Sequence, residues 1–157
     1  MRIAEKAVGR EHPAYATRLN NLATVYQGQG RYDDAVKMHE DALEIREKTV
    51  GREHPDYAQS LNNLAIVYTN QGRYDEAIEK YEEAVRIEEK TIGREHPAYA
   101  THLNNLAHAH IAKGDIKRAL ELFEDALRIC SKALPENHHY ILSLRKSIEA
   151  CRNRLRQ

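Results

Sequence analysis

Residues 12–53 read HPAYATRLNNLATVYQGQGRYDDAVKMHEDALEIREKTVGRE, and much the same text starts again at His54. His12-Pro13, His54-Pro55 and His96-Pro97 stand 42 residues apart, as do Asn20-Asn21, Asn62-Asn63 and Asn104-Asn105. Gly30, Gly72 and Gly114 keep the same step, and so do Ala42, Ala84 and Ala126. Residues 10–51 match 52–93 at 26 of 42 positions, so the period belongs to the whole unit and not to a few landmarks. A fixed period of this size means stacked supersecondary units, each unable to bury its own apolar face alone. It fixes the fold and draws the function toward binding, away from chemistry.

Within one unit, Tyr15, Leu19, Leu22 and Tyr26 form one stripe of a helix. Pro13 suits a first helical turn, and Gly30 suits a left-handed C-terminal turn. The second half opens on Asp33 and Asp34, turns Ala35, Val36, Ala42 and Ile45 inward, and ends near Lys48. Acid at the start and base at the end both favour a helix dipole. Gly51 stops this helix. Each unit is therefore helix A, turn, helix B, turn. The pattern predicts A helices over 14–28, 56–70 and 98–112, B helices over 33–49, 75–91 and 116–133, and a last helix over 139–155. Such helices are marginal alone in water. Each large apolar side chain fully buried between neighbours contributes roughly 1.5–3 kcal/mol. Ala35, Ala42, Ala77 and Ala84 are small where helices A and B must approach closely.

The ends differ from the middle. Residues 1–9 align with 43–51, so the chain opens halfway through a B helix, and a longer array is expected before it. The expected division is 1–9, the end of a preceding repeat; 10–51, 52–93 and 94–135, three repeats; and 136–157, a C-terminal capping helix. That last helix has one apolar stripe of Leu144, Ile148, Cys151 and Leu155, with Arg145, Lys146, Arg152, Arg154 and Arg156 elsewhere, as a cap needs. With half a helix before it, helix 14–28 is expected to leave apolar surface open near Tyr15 and Leu19. Self-association through that end follows.

Lys+Arg and Asp+Glu balance at 24 each. Zero formal net charge removes the main drive toward nucleic acid or an anionic membrane. No apolar run is long enough to span a bilayer, and no signal-peptide core follows Met1. Two cysteines, Cys130 and Cys151, are too few for a disulfide framework and suit free thiols in the cytoplasm.

The unit resembles the tetratricopeptide repeat, whose pattern is W-x2-L-G-x2-Y followed by Ala, an aromatic and Ala. Here L-x2-L-A-x2-Y occupies Leu19–Tyr26 and Leu61–Tyr68. Ala35, Ala77 and Ala119 fill the first Ala position, and Ala42, Ala84 and Ala126 the second. Tyr81 and Phe123 fill the aromatic position, from which His39 departs; His110 departs at the Tyr position, and the closing Pro is missing. The 42-residue period, the L-N-N-L-A string and the G-x-x-H-P linker are similar to the kinesin light chain subclass. The resemblance implies an all-α solenoid of helix-turn-helix repeats in a right-handed superhelix. It also implies a concave groove of A helices that binds an extended peptide, the partner in kinesin light chains being a cargo adaptor. The same subclass occurs in scaffold proteins and in helper domains fused to ATPases or signalling modules.

The Asn pairs are the sharpest functional signal. Asn is a poor helix-interior residue, yet two sit together in mid-helix in each repeat and off the apolar stripe. A carboxamide offers donor and acceptor, so a ladder of them could hold a peptide backbone. The candidate peptide-binding residues are Asn20, Asn21, Thr24 and Gln27 in the first repeat. Gln59, Asn62, Asn63, Ile66 and Asn70 follow in the second, and Thr101, Asn104, Asn105, His108 and Ile111 in the third. Asn63 and Asn105 are expected to project with no partner inside the chain. The competing reading is a structural ladder between A helices. Ile66 and Ile111 could form a pocket for one partner side chain, or be scattered surface hydrophobes.

A carboxylate clamp is argued down, because Thr101 and Asn105 stand where Lys and Arg would be needed. His12, His54, His96 and His138 recur at the linker and read as N-cap or turn residues. His108 and His110 point about 160° apart on a helix, so no metal site is expected. No nucleophile–base constellation or phosphate loop is present, and no enzyme activity or cofactor is expected. Two other functions compete with peptide binding: a structural or oligomerisation spacer, and a sensor segment of a larger signalling ATPase.

Overall fold

The computed structural model describes residues 12–157. Among them are seven α-helices and no strand: α1 (Pro13–Gly28), α2 (Tyr32–Thr49), α3 (Pro55–Asn70), α4 (Tyr74–Thr91), α5 (Pro97–Lys113), α6 (Ile116–Ala133) and α7 (His139–Arg156). The bounds fall within one residue of the periodicity-derived ones. The expected segment 1–9 lies outside the described residues. No helix among them is long and apolar enough to cross a membrane.

The boundaries have local causes. His12, His54, His96 and His138 each sit in extended backbone just before a helix, and each Nδ1 accepts the N–H two residues on, at 3.0–3.1 Å. They are N-caps, with the imidazole replacing the usual Ser or Asp oxygen. Pro follows three of them, where its missing N–H costs no helical bond. At the other end, Gly30 and Gly51 take φ of 78° and 88°, a left-handed turn that a side chain would strain. Asp33 and Asp34 open α2, and Arg46 and Lys48 close it.

The chain forms two compact units, one ending at Ile87 and one running from Glu88 to Gln157, so the division falls inside α4. In the first unit, Tyr15, Ala16 and Leu19 of α1 pack against Ala42 and Ile45 of α2. The same five positions one period on, Tyr57, Ala58, Leu61, Ala84 and Ile87, join α3 to α4, with Leu43 of α2 packed on them. In the second unit Tyr99, Ala100, Leu103, Ala126 and Ile129 are buried in turn. Ala35, Ala42, Ala77, Ala84, Ala119 and Ala126 have no exposed surface, as close A–B approach requires.

Tyr15 and Leu19 are buried, against the expectation of open apolar surface at that end. Within the described residues they pack against their own B helix, through Ala42 and Ile45. Leu22 and Tyr26 are only half-buried; Tyr26 instead carries the Arg31 guanidinium 4.2 Å above its ring, as Arg73 sits 4.3 Å above Tyr68.

Candidate functional site

In the first unit, α1, α2 and α3 line an open cavity of about 490 Å³. Thr24, Gln27 and Gly28 come from α1, His39 from α2, and Asn63, Ile66 and Asn70 from α3. Five of the residues marked by the sequence thus meet at one place: Thr24, Gln27, Asn63, Ile66 and Asn70. They do so because helix positions three and four apart share a face. No lining residue carries a charge at neutral pH, since burial brings the His39 pKa down to about 4.

The Asn pairs divide. Asn21 is exposed and Asn63 half-buried, but Asn20 and Asn62 are buried, 7% and 4% exposed. The expectation that both members lie off the buried stripe therefore fails for Asn20 and Asn62 and holds for Asn21 and Asn63. Asn20 is a structural link: its Oδ1 meets His39 Nδ1 at 2.9 Å, and its Nδ2 reaches Ser60 Oγ at 3.5 Å. Ser60 in turn accepts from Arg46 Nη1 at 2.8 Å, and the same Arg46 atom bonds the Asp56 carbonyl at 2.9 Å. This polar chain ties α1, α2 and α3 together, and it satisfies groups that would be costly to bury alone.

Asn63 departs from the expectation of a carboxamide without a partner. Its Oδ1 accepts from Gln59 Nε2 at 3.0 Å, one turn back on the same helix. Asn105 is likewise engaged within the fold. An exposed intrahelical bond of this kind is weak and can be exchanged for a ligand.

In the second unit, Asn104, Asn105 and Ile111 are half-buried. Thr101 Oγ1 donates back to the Pro97 carbonyl at 3.2 Å. His108 stands edge-on to Phe123, ring centroids 5.1 Å apart and planes at 76°, and this partial desolvation lowers its pKa. Beside them lies a pair the sequence did not flag: His102 Nδ1 bonds the Glu88 carboxylate, with both side chains buried. Its signal was the mismatch between repeats, because Arg46 and Ser60 become Glu88 and His102 one period on.

A larger cavity, about 750 Å³, lies between α6 and α7. It gathers none of the candidate peptide-binding residues. Its Arg128 pairs with Glu95 at 3.2 Å, and its Arg152 lies 3.9 Å from Glu124. Cys130 and Cys151 are buried thiols whose pKa burial raises. Among the described residues no group of three His, Cys, Asp or Glu is placed to hold a metal.

The tetratricopeptide repeat family model matches residues 1–48, 16–90 and 56–132. The chain belongs to the tetratricopeptide repeat family. Its solved neighbours are kinesin light chain-like. A Podosopora anserina kinesin light chain protein with nearly identical TPR-like repeats is 33% identical, over 96% of this chain and 71% of that one, with a TM-score of 0.80. A single-substitution variant of it gives 32% and 0.81 over the same shares. BtubC (BKLC) from P. vanneervenii gives 26% and 0.73, over 90% of this chain and 62% of that one. No curated protein matches the sequence. Tetratricopeptide repeats generally mediate protein–protein interaction, and this helix-pair solenoid is a non-catalytic scaffold type.

Proposed function

We propose that this tetratricopeptide repeat chain is a cytoplasmic, non-catalytic module that holds an extended segment of a protein partner along its A helices. The observation that carries the reading is the uncharged cavity of the first unit, where Thr24, Gln27, Asn63, Ile66 and Asn70 converge. Carboxamides and a hydroxyl can serve the N–H and C=O of a peptide backbone, and Ile66 gives one apolar contact. Asn21 and Gln59 border this face, and Thr101, Asn104, Asn105, His108 and Ile111 are the corresponding contacts in the second unit. The buried Asn20 and Asn62 serve by holding the helices. Likeness to kinesin light chains supports a partner of cargo-adaptor type. Balanced charge supports a protein partner over nucleic acid or membrane.

A peptide selected from a random library, titrated by fluorescence anisotropy, tests this. Affinity should be about micromolar, because an extended peptide loses its freedom on binding. It should change little with salt, because the cavity is uncharged. Asn63→Ala with Asn70→Ala should weaken binding, at about 0.5–1.5 kcal/mol per lost hydrogen bond, with unchanged helicity. Equal affinity in the double variant, or binding that collapses in salt, rejects the mechanism.

A further inference from the structure

Positions 39, 81 and 123 are equivalent in the three repeats and hold His, Tyr and Phe. All three are buried. The slot accepts an aromatic plug, and the first repeat fills it with a heterocycle. The polar chain around His39 decides what that ring can do. Arginine has only donors, so Ser60 Oγ receives Arg46 Nη1 at 2.8 Å. Asn20 turns its Nδ2 toward the same oxygen and its Oδ1 toward His39. With the carboxamide in this orientation its oxygen cannot donate, so the 2.9 Å contact places a proton on His39 Nδ1. In a neutral ring this leaves Nε2 bare, a pure acceptor. Burial keeps the ring neutral, with its pKa near 4. The ring is part of the wall of the 490 Å³ cavity.

We propose that His39 makes this cavity a selective subsite for one partner residue, uncharged and bearing an O–H or N–H donor, which Nε2 accepts. The inference rests on the peptide-binding reading and adds to it the chemistry of one position. A carboxylate there would set lone pairs against a bare acceptor. An aliphatic side chain would cover Nε2 without supplying a donor, and a site built to hydrogen-bond rejects such an analogue more strongly than shape alone. A lysine or arginine could donate, but would find no carboxylate among the lining residues to offset the water its charge gives up.

The test is a pair of selections from one random-peptide phage library, on the wild-type chain and on His39→Phe. Phe is the residue at position 123, so the slot tolerates it; a helical circular dichroism spectrum checks the fold. Wild-type peptides should share a position held by uncharged donor residues. Replacing that residue by its apolar isostere (Thr by Val, for example) should cost about tenfold with the wild type and leave binding to His39→Phe unchanged. An acidic, cationic or aliphatic residue at the shared position, or equal losses on both proteins, overturns the proposal while leaving peptide binding intact. Recovery of no peptide on either protein overturns both readings. If His39→Phe does not fold, imidazole nitrogen-15 spectra of the wild type decide. Nε2 must resonate as an unprotonated nitrogen and shift when a selected peptide binds; a protonated or unmoved Nε2 overturns the proposal.

Discussion

Acidifying the protein charges His39 in the unfolded chain well before it charges it in the fold. The free imidazole takes its proton near 6.5, while the buried ring resists until about 4. Between those values the unfolded state binds more protons, so stability falls as pH falls. The His39 contribution is complete above 6.5 and is gone by about 4. The gap between 6.5 and about 4, at about 1.4 kcal/mol per pH unit, amounts to about 3 kcal/mol. His39 is 1% exposed, so solvent screening takes little from this figure. The assay is urea unfolding followed by circular dichroism from about pH 7 down to about pH 4.5, for the wild type and His39→Phe. Other titrating groups are common to both proteins and cancel in the difference. At neutral pH the variant should be weaker by about 1–3 kcal/mol, because Asn20 Oδ1 loses its donor. As the pH drops the wild type should lose stability faster, and the two curves should converge or cross. If the gap between them stays constant within about 0.5 kcal/mol, His39 is not a buried neutral ring and the tautomer argument fails with it.

Leu64 is 1% exposed on α3, so Leu64→Ala should cost about 2–5 kcal/mol in urea unfolding; a cost below about 1 kcal/mol would remove it from the core. Ala84 has no exposed surface between α3 and α4, so Ala84→Leu should cost about 1–3 kcal/mol through overpacking, and an unchanged midpoint would mean the helices are not in close contact there. His102→Leu should cost about 3–5 kcal/mol by leaving the Glu88 carboxylate buried and alone. Adding Glu88→Cys, which copies Cys130 and Leu144 one period on, should recover most of that loss, and a double variant as weak as the single would refute the account.

The helices were legible because His-Pro pairs and glycines mark where each must start and stop, and the 42-residue period repeats the marks. The inward Ala positions were legible for the same reason. The burial of Asn20 and Asn62 was not. An apolar stripe defines one contact face, but an A helix in an array meets more than one neighbour, and α3 buries nine residues where α1 buries five. On both helices the buried arc takes in the first Asn of the pair and spares the second. The convergence of Thr24, Gln27, Asn63, Ile66 and Asn70 could be anticipated from helical spacing. The place of His39 behind them could not, since it depends on which side chains of three helices meet. Its only trace in the sequence was a departure from the aromatic consensus.

The junctions between successive repeats have a further consequence. The five core positions are the same in every repeat, so any A helix would fit any B helix equally well. The joint between one B helix and the next A helix is not interchangeable: it holds Arg46 with Ser60 in one case and Glu88 with His102 in the next. Docking one repeat too far along would set Arg46 against His102 in place of the Ser60 oxygen, or leave Glu88 without its imidazole partner. These joints act as addresses, giving near-identical modules a fixed order. Excising residues 52–93 would keep the period and every core contact type, yet would join two ends whose addresses do not match.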